Sequence, residues 1–421
     1  MRRDRPLRFQ SFHVIILCCW ILSSCSTPNE TEASSTEVIS SEFSLLDSML
    51  TKATELGEIP GAAICIVREG ELIHHRSFGW SNPITEIPLQ NDAIFRICSQ
   101  TKAITSTAAM ILWEKGLIGL DDPVSKYLPD MDSVGVLDEF FEADTSFTTV
   151  PVNSVMTIRH LMTHQSGLSY GEIGSAEMKL IYEKYGVVDL FTTDSVTTQE
   201  NCQRISKTAL IHQPGEKWNY SLGLDVLVRV IEIASGEPFD VFLRREILDP
   251  LEMHHTHFYL PDSLEERLVP VFDRVDLGKW ELHKHPLYST DYPVNGEKAY
   301  FSGGAGLSST PLDYSNFLQM YLNRGEFKGV RLLQESTIDT IMANHELNPR
   351  EADWYQGLAF GVQKPESEGI FPGGTFFWGG YFNTSYAADP QSKTIGIIMK
   401  QTYGVNESTT QKFNESVFVN R

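Results

Sequence analysis

The sequence predicts an α+β fold: one antiparallel sheet built from both chain ends and flanked by helices, with a mainly helical lobe inserted between them. Three observations predict it. Strand-like runs follow residue 60 and return in the last third, helical spacing dominates the middle, and no internal repeat or linker-separated second unit breaks the chain. Strands at the two ends bury their faces most simply in one shared sheet, with the helical portion set beside it.

The first element is "MRRDRPLRFQSFHVIILCCWILSSC", a basic start followed by an apolar run from Val14 to Leu22 that is too short for a comfortable membrane span. It reads as an export signal. Leu22-Ser23-Ser24-Cys25 resembles a bacterial lipobox, so residues 1–24 are expected to be a lipoprotein signal peptide and Cys25 the acylated anchor. The expected location is the cell envelope, periplasmic or outer-membrane attached, with membrane contact through the lipid only. Residues 25–40 are Ser/Thr/Glu-rich without apolar periodicity and read as a flexible tether to one folded domain at 41–421.

Within that domain, Phe43, Leu45, Leu46, Met49 and Leu50 have helical spacing, stopped by Gly57 and Pro60. "AAICIVREGELIHHRSFGW" is two strands joined by a Glu-Gly turn. "FRICSQTKAITSTAAMILWEKG", Phe95 to Gly116, is a helix closed by its final glycine. "TIRHLMTH", "LDVLVRVIEIASG" and "FDVFLRREIL" place the helical lobe at roughly 117–290. "WYQGLAFGVQK", "GTFFWGGYFNTSYAADP" and "KTIGIIMKQT" return to strands.

Composition narrows the partners. A formal net charge of -21 lacks the basic footprint a polyphosphate needs, which argues against nucleic acid and leaves small-molecule or peptide-like substrates. Cys65, Cys98 and Cys202 form no CxxC pair, so no disulfide framework is expected. Cys98 reads as a packing residue. His255 and His257 in "MHHTHF" would share a strand face but lack further ligands, so no metal and no cofactor is expected.

The chemistry concentrates at Ser99 and Lys102. Lys102 is the one charged side chain between Arg96 and Glu114, and at i and i+3 it shares a helix face with Ser99. Burial disfavours an ammonium, which suits Lys102 to accept the Ser99 proton, and the helix start favours a developing anion. Tyr220, between a Pro-Gly turn and a helix, is a candidate proton shuttle. The paired glycines of "FFWGGYF" mark a close backbone approach, so an amide near Gly380 and Tyr381 can join that of Ser99 around an oxyanion. A rival motif, Gly167-Leu168-Ser169-Tyr170-Gly171, fits G-x-S-x-G but lacks the preceding strand that a nucleophile elbow requires. His164 beside it is expected to hold the loop by hydrogen bonds.

These residues, with "IPGAAICIVREGEL", "IRHLMTHQSGLSY", "PGEKWNYSLGLDVL" and "GGAGLSSTPLDYSNFLQMYLN", resemble the serine β-lactamase and penicillin-recognising superfamily. Within it the chain is similar to the class C β-lactamases and the family VIII carboxylesterases, from about Ile59 to Thr402. The resemblance implies a β-lactamase-like fold, Ser99 as acylated nucleophile, Lys102 as its base, Tyr220 assisting proton transfer, and Trp378-Gly379-Gly380 at the place of the Lys-Thr-Gly strand. Two departures bear on substrate. Leu222 replaces the asparagine of Tyr-x-Asn, and Trp378 replaces the lysine that pairs with a substrate carboxylate. The expected function is therefore an exported serine hydrolase forming an acyl-enzyme at Ser99, an esterase acting on uncharged esters. A D-amino-acid peptidase or β-lactamase, and a binding protein without turnover, stay open as alternatives.

Overall fold

The sheet starts from the predicted hairpin, Gly61–Arg68 (β1) and Glu71–Asn82 (β2), in a computed structural model that describes residues 37–348 and 351–419. The expected signal peptide, Cys25 and the first part of the tether, to residue 36, lie outside the described residues. Glu69 and Gly70 both take positive φ, 52° and 85°, which gives the two-residue turn the twist that flanking strands favour. Ile87–Pro88 (β3) adds a short edge strand. The last third supplies Trp354–Gln356 (β4), Gly361–Gln363 (β5), Phe376–Gly380 (β6), Thr384–Asp389 (β7) and Thr394–Met399 (β8).

The spatial order is β4-β5-β6-β7-β8-β1-β2-β3. The chain ends meet at its centre, where β1 and β8 pair antiparallel from Ala63 opposite Met399 to Arg68 opposite Thr394. Residues on β1 then alternate between two apolar layers, as the two-residue strand period requires. Ala62, Ile64 and Ile66 pack with Ser44–Glu55 (α1) and Thr409–Phe418 (α7) through Leu46, Leu50, Phe413 and Val417. Ala63, Cys65 and Val67 face the larger core, which includes residues of Thr101–Glu114 (α2) and Pro311–Leu322 (α6).

The inserted lobe contains Ala176–Tyr185 (α3), Thr198–Ile205 (α4) and Gly223–Ser235 (α5). It is less uniformly helical than its sequence spacing suggests. Val136–Phe141 pairs with Ser146–Val150, and Phe272–Asp276 with Lys279–Leu282. Both hairpins are largely exposed, so they lack the long apolar runs by which buried strands announce themselves. No described helix is long and apolar enough to cross a membrane.

Ile64 is fully buried at the sheet centre, between α1 and α7. Ile64→Ala is expected to cost about 2–5 kcal/mol of stability. A urea melt followed by circular dichroism measures it, and a loss under about 1 kcal/mol would show that this layer collapses to fill the gap.

Candidate active site

Ser99 sits in a single 3-10 turn, Cys98–Gln100, that leads into α2. From Ala93 to Leu112 it is the one residue that is not buried. The turn is made by Cys98, a non-glycine residue at φ 45°, a conformation that costs on the order of 1–3 kcal/mol and persists where packing imposes it. Cys98 is wholly buried, and burial pushes its thiol up to about 12 against the backbone amides of Phe382 and Tyr381 facing it. A thiol so held is a neutral packing group, as expected.

Lys102 lies one turn further along the helix and is 5% exposed. Its Nζ is 3.5 Å from Ser99 Oγ, 2.9 Å from the Tyr170 hydroxyl and 2.7 Å from the Gly304 carbonyl oxygen. Gly304 O can only accept, so one amine hydrogen is committed to it; the tyrosine hydroxyl can accept or donate. Among the described residues no carboxylate lies within ion-pair distance of Lys102. Gly304 must be glycine here, since a Cβ would stand 2.5 Å from Asp225 Oδ2 and 3.3 Å from Lys102 Nζ.

Behind this cluster lies Asp225, buried in the first turn of α5. Its Oδ1 accepts from Ser302 Oγ at 2.7 Å, Tyr300 OH at 3.1 Å and Gly304 N at 3.4 Å. Burial pushes its carboxyl up, and Lys102 is the largest influence in the other direction. Tyr170, Asp225 and Gly304 were not singled out by the sequence reading. Asp225 could have been found by the logic that found Lys102, as the first charge in the apolar run "LDVLV".

Tyr220 enters differently from the expectation. Its ring, not its hydroxyl, faces the amine, with Lys102 Nζ 4.6 Å from the ring centroid. The hydroxyl is shielded and has no hydrogen-bond partner among the described residues. The ring is held by His164 at 4.6 Å, Tyr170 at 5.4 Å and Trp378 at 5.9 Å. His164 thus packs against the phenol, while its carbonyl accepts from Asn219 N.

Strand β6 closes the other side. Gly380 pairs with Thr384, and a Cβ on it would stand 2.6 Å from the Ile97 carbonyl oxygen, two residues before Ser99. This is the close backbone approach the paired glycines predict, and it brings the Gly380–Tyr381 peptide beside the Ser99 turn. Gly379 is exposed, and the half-buried Trp378 indole meets Trp354 edge-on at 5.6 Å.

The rivals are accounted for. Ser169 is 2% exposed, and its hydroxyl donates to the Tyr170 carbonyl at 3.0 Å in a segment with no strand before it. His257 contacts Arg244 and the His254 carbonyl, whereas His255 lies 3.6 Å from Asp313, so the two do not form a joint ligand pair.

The sequence model of the Beta-lactamase family matches residues 46–414. The chain belongs to that family. Among curated relatives, Esterase EstB of Burkholderia gladioli is 28% identical over 356 residues, covering 82% of this chain and 86% of that protein. Monacolin J acid methylbutanoyltransferase of Aspergillus terreus is 30% identical over 316 residues, covering 73% and 71%. A solved structure of EstCE1, described as a hydrolase with promiscuous acyltransferase activity, matches with TM-score 0.77 at 24% identity, over 89% of this chain and 97% of its own. That likeness establishes the β-lactamase-like fold.

In this β-lactamase-family chain, Gly380→Ala is expected to push β6 off Ile97 and displace the neighbouring amide by a fraction of an ångström or more. Misplacement of that size costs roughly 100-fold in rate. Steady-state ester hydrolysis with a thermal melt alongside checks it: an active, equally stable variant would place the reacting carbonyl elsewhere.

Proposed function

We propose that the protein is an exported serine hydrolase that acylates Ser99 with the acyl group of an uncharged ester. Family membership makes it a β-lactamase-fold hydrolase or acyltransferase; the finer reading rests on the shielded Lys102 amine 3.5 Å from the Ser99 hydroxyl.

In this reading Ser99 Oγ attacks the ester carbonyl while its proton passes to Lys102 Nζ. The carbonyl oxygen, now negative, is met by the amides of Ser99 and Tyr381. The C–O bond to the alcohol breaks as the leaving oxygen takes the proton back from the Lys102 amine, with the Tyr220 phenol expected to assist once its side chain turns toward the leaving group. A second nucleophile, water for hydrolysis or an alcohol for transfer, then gives its proton to the amine as it attacks the acyl-enzyme carbonyl; the bond to Ser99 Oγ breaks, Oγ takes that proton back, and the acid or new ester leaves.

The walls support a neutral substrate. Trp378, held between Trp354 and Tyr220, offers an aromatic face where a cation would be needed to pair with a β-lactam carboxylate. Leu222 is fully buried at the start of α5, so this position adds no amide donor to the cleft. The relatives named as an esterase and a methylbutanoyltransferase support ester or acyl-group chemistry at this fold.

A fluorophosphonate probe followed by peptide mass mapping is expected to place the adduct on Ser99 and to lose it in Ser99→Ala; an adduct on Ser169 would overturn the assignment. Turnover of short p-nitrophenyl esters is expected to exceed that of nitrocefin and D-alanyl peptides by at least about 100-fold, as loss of a charge-paired carboxylate contact implies. Rapid nitrocefin hydrolysis would instead favour the β-lactamase reading, and an unlabelled, inactive protein the binding-protein reading. Export and anchoring are checked by labelled palmitate in a bacterial host, with incorporation expected in the full chain and none in Cys25→Ala.

A further inference from the structure

We propose that Asp189 is a positioning residue for the Ser99 chemistry: its carboxylate fastens the amides of Gly171 and Glu172 and so holds Tyr170 on the Lys102 amine. The inference rests on the reading of Ser99 and Lys102 given above. Gly171 N donates to Asp189 Oδ1 at 2.8 Å, and Glu172 N donates to Oδ2 at 2.6 Å. The residue just before this pair is Tyr170, whose hydroxyl is 2.9 Å from Lys102 Nζ. The segment from Ser166 to Gly171 belongs to no helix or strand; Ile211 N and Leu222 N bond its Gly167 and Ser169 carbonyls, Tyr182 OH and Asn219 Nδ2 hold Ser169 and Leu168, and beyond Tyr170 the hold passes to Asp189.

Asp189 is itself rigidly presented. Its neighbour Val188 is bonded on both sides to the Asn201 side chain on α4, N to Oδ1 at 2.8 Å and O to Nδ2 at 2.9 Å. Asn201 Nδ2 also donates to Tyr300 OH at 3.0 Å, and Tyr300 OH donates to Asp225 Oδ1. The element carrying the clamp and the carboxylate behind Lys102 are thus tied to each other.

Only the ionised carboxylate accepts from both amides at once. A proton on either oxygen turns an acceptor into a donor facing an N–H. Asp189 lines a cavity of about 450 Å³, which gives that proton a route. Burial pushes its carboxyl up to about 6; the amides of Gly171 and Glu172 oppose the shift, and the charges of Asp225 and Glu172 add to it. The other charged groups facing the cavity are Lys179 and Glu183 on α3, Asp194 in the following segment and Arg204 on α4. Glu172 is paired in turn with Lys179 at 3.4 Å and with His285 at 3.2 Å.

The sign of the linkage separates positioning from mere structure. A carboxyl raised from 3.8 to about 6 on folding favours the folded state when protonated, and that stability is lost as pH rises through about 6. The clamp, however, needs the anion. Acidification through this window therefore removes activity while the Asp189 contribution to stability grows.

The test is the rate of Ser99 labelling by a fluorophosphonate, measured from about pH 8 to about pH 5 on the wild-type chain, Asp189→Asn and Tyr170→Phe. The wild type is expected to slow about tenfold around an inflection near 6. Asp189→Asn, uncharged throughout, is expected to be about tenfold slow at the alkaline end, to lack the inflection and to melt no lower than the wild type there. Tyr170→Phe, which keeps the ring and loses the hydroxyl, should likewise be slow and lose the inflection. A flat wild-type profile, an Asp189→Asn rate within about twofold of the wild type, or retention of the inflection in either variant would overturn the inference while Ser99 labelling preserves the parent reading. No Ser99 adduct at any pH would overturn both.

Discussion

A primary amine held out of water beside a hydroxyl is the constraint on which the rest of the structure depends. Lys102 Nζ has Gly304 O, Tyr170 OH and Ser99 Oγ as its polar neighbours and the Tyr220 ring beneath it. In such a site a cation is costly unless its surroundings compensate. Around Lys102 lie a carbonyl dipole and an aromatic face, with Asp225 further behind and no carboxylate within ion-pair distance among the described residues.

A second buried lysine shows what the alternative looks like. Lys400, at the end of β8, is wholly buried and bonded directly to Glu407, with Thr409 at 2.9 Å and Thr410 at 2.8 Å. Burial pulls its ammonium down while Glu407 holds it up, and the result is a closed pair joining the sheet to α7. All three of its hydrogens are spoken for. The two sites contain the same side chain; Lys400 has an adjacent carboxylate and Lys102 has none within ion-pair distance among the described residues, which is the difference between a structural tie and the amine proposed to act as base.

The catalytic geometry is a product of the interface between sheet and lobe. The Ser99 turn is pinned to the sheet side by Gly380 against Ile97 and by Gln401, which exchanges hydrogen bonds with the Arg96 backbone. Arg96 reaches the other way to the Thr290 and Val269 carbonyls at 2.6 and 2.8 Å. Tyr170 and Tyr220 arrive from the lobe.

Local features of the chain determined much of this on their own. The Glu-Gly hairpin and the body of the α2 helix follow from short-range periodicity and turn chemistry, but the helix expected from Phe95 starts only at Thr101, because Phe95–Arg96 pairs as a short strand with Ser308–Ser309 and Ser99 lies in a 3-10 turn. The Gly-Gly pair of β6 signals a close approach because glycine in a strand otherwise costs stability. The wider motif set made the family and its fold readable as well. What lies around the amine was decided only in three dimensions: Tyr170 is 68 residues from Lys102 and Gly304 is 202. Asp225 stands out in one dimension only as a lone charge in an apolar run, and Asp189 looks like an ordinary surface acid. Hydrogen bonds of that span depend on how helices and loops pack, and packing is a property of the whole core rather than of any window of sequence.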